Sequence, residues 1–335
     1  MTLLPAATPT SAKQTTLWWL LGLVLLVLVL SVLSLNVGAS RLKLLHLFTQ
    51  PDDRITQLLF VSRLPRTLAL VLAGAALAVA GLILQMMARN RLVEPSMMGT
   101  TEAAVLGMLF CTIVAPSMAL WLKFSVVTIC AVLGTLLFLA VLTRIPLRSA
   151  LIVPLVGLVL AGVIYSGSSL LASQFELSQA LRAWGSGDFS TILRGRYELL
   201  WLGAGITGLA MLLADRFTVI GMGKDFATNA GVSYHGLMAA GILLVSMMVA
   251  SVVIIAGALP FIGLIVPNLI RLITGDNLRR AIPLVALAGA ALMLAADLLG
   301  RVLIHPYEIP SANILAIMGS AILLFMLIRG RKQWA

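Results

Sequence analysis

The residues able to do chemistry are few and far apart. His46, His235 and His305 are scattered, there is no HExxH pair, and Cys111 and Cys130 lie in or beside apolar runs without metal-ligand spacing. They read as isolated histidines and reduced buried thiols, so neither a metal site nor a catalytic residue is expected. Gly203-Ala-Gly-Ile-Thr-Gly208 matches a dinucleotide fingerprint by letter, but it stands inside an apolar run with no strand before it. Gly223-Lys224 fails as a phosphate loop, because Asp225 replaces the required hydroxyl residue and no glycine stands five residues earlier. Among carboxylates within apolar segments, Glu102 reads as a satisfied span-end residue. Asp297 is four residues from Arg301 on one helix face and is placed to pair with it. The richest polar stretch is the island Gly221 to Gly236, where Asp225 to Ala230 can form a short helix capped by Gly231.

The elements that hold these residues follow from composition. The chain has 335 residues, 61% hydrophobic and 10% charged, with mean hydropathy +1.08. Apolar runs of roughly 17 to 25 residues recur, each long enough to cross a hydrocarbon core about 30 Å thick. The fold class expected is an all-α polytopic membrane protein with about ten transmembrane helices. A tail at 1–16 precedes a single membrane domain at 17–328, and a basic tail at 329–335 follows it. The run at 17–37 is too long for a signal-peptide core and reads as a retained first span. Gly74 and Gly81, seven apart on the second span, suit a close helix contact. The fifth span, 149–172, is the most polar and kink-prone, with Ser149, Ser166, Ser168 and Ser169 as candidates for lining a water-filled path. Leu177, Leu181 and Trp184 suggest a helix lying on the surface. The sixth span is expected at 197–214. Pro260 to Arg271 is too short for an ordinary span and, with Pro260, Gly263 and Pro267, reads as a broken or half-crossing helix.

Ten spans put both termini on one side. That side carries thirteen basic and four acidic residues, the other ten and eight, which accounts for the net charge of +11. The positive-inside rule then makes the termini and the 221–236 island cytoplasmic. Charge of this kind sets topology, and no soluble basic face exists for nucleic acid.

Several motifs, taken together and in order, resemble one family: the membrane permeases of the ferric-siderophore and cobalamin ABC importers, in bacterial inner membranes. They are Arg63-Leu-Pro-Arg-Thr-Leu68, Asn90-Arg-Leu-Val-Glu-Pro-Ser96, Phe261-Ile-Gly-Leu-Ile-Val-Pro-Asn-Leu-Ile-Arg271, Ala296-Asp-Leu-Leu-Gly-Arg301 and Glu308-Ile-Pro310. The resemblance implies a type II ABC importer permease fold. It also implies a second permease subunit, two cytoplasmic ATPase subunits that bind the ATP, and a periplasmic or lipid-anchored substrate-binding protein. The island resembles the family's ATPase-coupling segment, with Ala227, Asn229, Gly231 and Val232 at its contact positions. Arg63, Arg66 and Arg301 match arginines that meet acidic residues of the binding protein. The turn at 90–95 and the segment 223–231 look more like permeases for catecholate or mixed-type ferric siderophores than like the cobalamin branch. Cobalamin or haem import by the same fold is the alternative. An ion-coupled secondary transporter would want ionisable groups near the midplane, which this chain lacks.

Overall fold

The computed structural model describes residues 9–38, 53–145, 151–274 and 278–329, and among these the chain is helical without strands. Helix α1 spans Pro9–Asn36. A short α2 (Asp53–Leu58) runs through a π-helical turn (Leu59–Arg63) into α3 (Leu64–Met87), whose Pro65 stands in its first turn. Then come α4 (Thr100–Val114), α5 (Leu120–Leu142), α6 (Ile152–Gln174) and the short α7 (Ser178–Gly185). Next are α8 (Leu199–Leu212), α9 (Ala214–Gly221), α10 (Lys224–Asn229) and α11 (Tyr234–Ala256). The chain closes with α12 (Ile262–Thr274), α13 (Leu278–Val302) and α14 (Ser311–Arg329).

Six helices are long and apolar enough to cross a membrane, and α8 with α9, bent by 63° at Leu213, forms a seventh candidate. The apolar helices α4, α12 and a stretch of α14 are shorter. The sixth element therefore differs from the single straight span expected at 197–214: it turns at Leu213 and continues as helix to Gly221. Its second half carries Asp215, Arg216 and Thr218, and this polar content conceals a helix from a hydropathy reading.

Helix α3 is the hub. It is apolar on nearly every face and packs on α8, α11, α12 and α13, as a helix buried all round must. The two glycines seven residues apart explain how it comes so close. A Cβ on Gly81 would collide with the backbone of Gly263 in α12, and one on Gly74 with the backbone of Gly289 in α13. The seam expected from spacing alone thus meets two different helices. Outside the bundle, α7 lies as expected against other elements rather than crossing. Leu181 is buried, and the Trp184 carbonyl accepts the Ala258 N–H at 2.7 Å, holding α7 to the break between α11 and α12.

Because the atoms opposite Gly81 are backbone, they have little room to yield. Gly81→Ala is expected to lower the thermal midpoint of the detergent-purified protein, with a loss of roughly 1–3 kcal/mol for overpacking. An alanine on the lipid-facing Gly22, where nothing lies within 4 Å, should leave the midpoint unchanged.

Candidate transport and docking sites

Helix α12 has 13 residues, so it rises about 20 Å and cannot cross a 30 Å hydrocarbon layer. Its polar groups must be satisfied by protein. Pro267 lacks an N–H, which orphans the carbonyl four residues earlier, that of Gly263. Gln85 Nε2 donates to that carbonyl at 3.1 Å. Asn268 Nδ2 donates to Leu264 O at 2.7 Å and to Arg91 O at 2.8 Å, tying α12 to the 88–99 turn. At the other end, Glu94 Oε1 accepts the Phe261 N–H at 2.9 Å and the Ser96 hydroxyl at 2.5 Å. The turn itself is closed by Leu92 N–H donating to Asn90 Oδ1 at 2.9 Å. The end of α3 and the polar turn that follows it thereby supply the missing partners of the half-crossing helix.

Burial pushes the Glu94 carboxyl up from 4.5 to about 7, although hydrogen bonds from Ser96, Phe261 and Leu264 pull the other way. Glu102, in the first turn of α4, has a buried Oε2 without a hydrogen-bond partner. That differs from the satisfied end residue expected; the N-terminal dipole of α4 offsets part of the charge cost.

The island folds as expected into a short helix with a glycine cap. Gly231 sits at φ +72°, its N–H donates to Thr228 O at 3.0 Å, and the Val232 N–H donates to Ala227 O at 2.9 Å. This is a Schellman closure. Ala227 is fully buried and Val232 half-buried, so these two and Gly231 shape the turn, while Asn229 is exposed. The spacing did not single out Phe226, which is 52% exposed. In so short a helix, with Ala227 facing in, its neighbour about 100° round must face out.

At the opposite end, the three arginines gather around the end of α1. Arg63 is 7% exposed and donates to Leu35 O at 2.6 Å and Asn36 O at 3.1 Å. Arg301 is 5% exposed and donates to Ser34 O at 3.1 Å, Val37 O at 2.9 Å and, as its spacing predicts, Asp297. They supply partners for the orphan carbonyls of α1. Arg66 bridges Asp297 and Glu308, each at 2.8 Å. Ser311 adds a hydroxyl to Asp297 at 3.1 Å.

Of the path candidates, Ser149 lies outside the described residues. Ser166 and Ser169 are exposed on α6, in a stripe with Gly162 and Ser173. Ser168 is buried and donates back to Ile164 O at 2.9 Å, so it faces its own helix neighbours rather than an opening. Among the described residues no group of three or more His, Cys, Asp or Glu side chains is placed to hold a metal ion.

A multi-helix membrane domain organised round a half-crossing helix, with a capped polar turn at one end, is the architecture of a transport permease. The chain belongs to the FecCD transport family, whose pattern matches residues 23–329. It is 39% identical to the petrobactin import system permease protein YclN of Bacillus subtilis, over 93% of this chain and 98% of that one. It is also 39% identical to the ferric-anguibactin transport system permease protein FatD of Vibrio anguillarum, over 82% and 87%. A solved inward-facing structure of a metal-chelate type ABC transporter is similar at TM-score 0.76 and 28% identity, covering 92% of this chain and 98% of that one. As in the rest of its family, the chain is a permease subunit of an ABC importer rather than an enzyme, in a multi-pass inner-membrane setting with ATPase and substrate-binding partners.

With the Glu94 pKa raised in the folded state, the stability that Glu94 contributes is present at low pH and is lost as pH rises through about 7. The thermal midpoint should therefore fall between about pH 5 and 8. Glu94→Gln, which keeps an acceptor for the Phe261 N–H, should flatten that fall; an unchanged slope would remove the assignment.

Proposed function

We propose that this chain is the membrane-spanning permease of an ATP-driven importer that moves a ferric siderophore of the catecholate or mixed type across the inner membrane by alternating access. The observation that carries the reading is likeness over most of the chain to permeases named for petrobactin and ferric-anguibactin import. The reading takes the bent pair as one span and the three shorter apolar helices as three more, ten in all; the charge distribution supports a cytoplasmic side for both termini and the island. The uncovered Ser166–Ser169 stripe of α6 lines the path between this chain and a second permease, either another copy or a paralogue. ATP is bound by two separate ATPase subunits.

The rigid turn made by Ala227, Gly231 and Val232 presents Asn229 and Phe226 to the ATPase. At the outer end, among the described residues, Arg63, Arg66 and Arg301 outnumber Asp297 and Glu308 by one charge. The buried Nε groups of Arg66 and Arg301 have no acceptor among the described residues. An excess cation with orphan donors suits a carboxylate brought by the binding protein, and such a pair sets register and encounter rate.

Two outcomes test the assignment. Phe226→Ser should reduce co-purification of the ATPase while leaving the thermal midpoint of the permease unchanged. Arg66→Glu should weaken binding-protein docking several-fold at low salt, with the difference shrinking towards about 0.5 M salt, where exposed charges are screened. Glu308→Gln, which releases one internal partner of Arg66, should tighten docking; equal affinity in all three proteins would exclude the arginine cluster from the interface.

A further inference from the structure

Between the 88–99 turn, the α9–α10 junction and the end of α12 lies a cavity of about 460 Å³ that neither the path nor the docking contacts use. Three separate elements each bring positive charge or backbone to it. Arg89 and Arg91 come from the turn and Arg271 from α12, while Met86 and Met222 supply apolar wall. Among the described residues no carboxylate lines it. The volume is that of a small-ligand pocket, and its concave shape suits a compact head group better than a protein helix.

A plain alternative is that these arginines offset the carbonyl ends of α3, α9 and α12, which all terminate here. Arg89 decides against it. Among the described residues its guanidinium makes no hydrogen bond or ion pair, so it caps none of their carbonyls. It instead rests beside Gly223, 3.4 Å from where a Cβ on that residue would stand. Arg91 and Arg271 have contacts elsewhere, but a guanidinium carries five N–H donors and can serve more than one acceptor. Behind them stands Gln85, 2% exposed, whose Oε1 has no partner and could accept from a hydroxyl or ammonium.

We propose that this cavity is a binding site for a phosphate-bearing anion, held by Arg89, Arg91 and Arg271, whose occupancy joins the start of the 223–232 turn at Gly223 to the bundle core. Basic pockets between the ends of membrane helices take anionic lipid head groups in this way. A lipid head group and free phosphate offer the same chemistry, and the experiment separates them.

The full-length protein would be placed in phosphatidylcholine nanodiscs and its thermal midpoint followed at constant ionic strength. One series would replace phosphatidylcholine with phosphatidylglycerol; the other would add inorganic phosphate. A midpoint rise of several degrees is expected in one series, assigning the head group or free phosphate respectively. Arg89→Gln, which removes no internal contact, should reduce that rise by half or more without changing the starting midpoint. Met222→Glu, at an exposed position on the rim, should do the same by repulsion. No rise in either series, or an equal rise in both variants, overturns the proposal.

Discussion

The structure depends on one requirement: a helix too short to cross the bilayer still has to satisfy every backbone group in a medium without water. Helix α12 meets it through the end of α3, the 88–99 turn and one side chain of its own. Gln85 takes the carbonyl that Pro267 abandons, Asn268 spans to Arg91, and Glu94 receives the first N–H. These bonds form only because Gly81 and Gly263 let the two backbones touch. Proline breaks a ladder, glycine permits approach, and the approach brings the donor that repairs the break.

The two ends of the bundle use charge differently. Where α1 ends, the arginines face inwards and do structural duty first, closing the carbonyls of α1 and sharing Asp297. At the opposite end the 223–232 turn is closed almost wholly by backbone bonds, leaving most of its side chains outward. A surface built this way can be varied without unmaking the turn.

Much of the fold was legible because it is periodic or local. Gly74 and Gly81 announced a seam, Gly231 a cap and Asp297 a partner for Arg301, each from spacing within one element. What stayed hidden depends on pairs far apart in the chain. Nothing local tells that Glu94 will meet Phe261, 167 residues on, or that Arg63 will turn inwards to Leu35. The bend at Leu213 was missed because α9 carries polar residues at helical spacing. Ser168 was grouped with Ser166 and Ser169 by composition, yet helical rotation puts it on another face.

The tie between Arg301 and α1 also constrains how the molecule is made. Almost none of the apolar length of α1 is buried, and the Ser34 and Val37 carbonyls wait for a guanidinium encoded 267 and 264 residues later. At ribosomal speed that interval is roughly 15 to 50 seconds. During it only the nearby Arg63 and Thr67 can hold the end of α1, and its largely leucine and valine length keeps it in lipid meanwhile. The fastening of α1 is thus completed only near the far end of the chain.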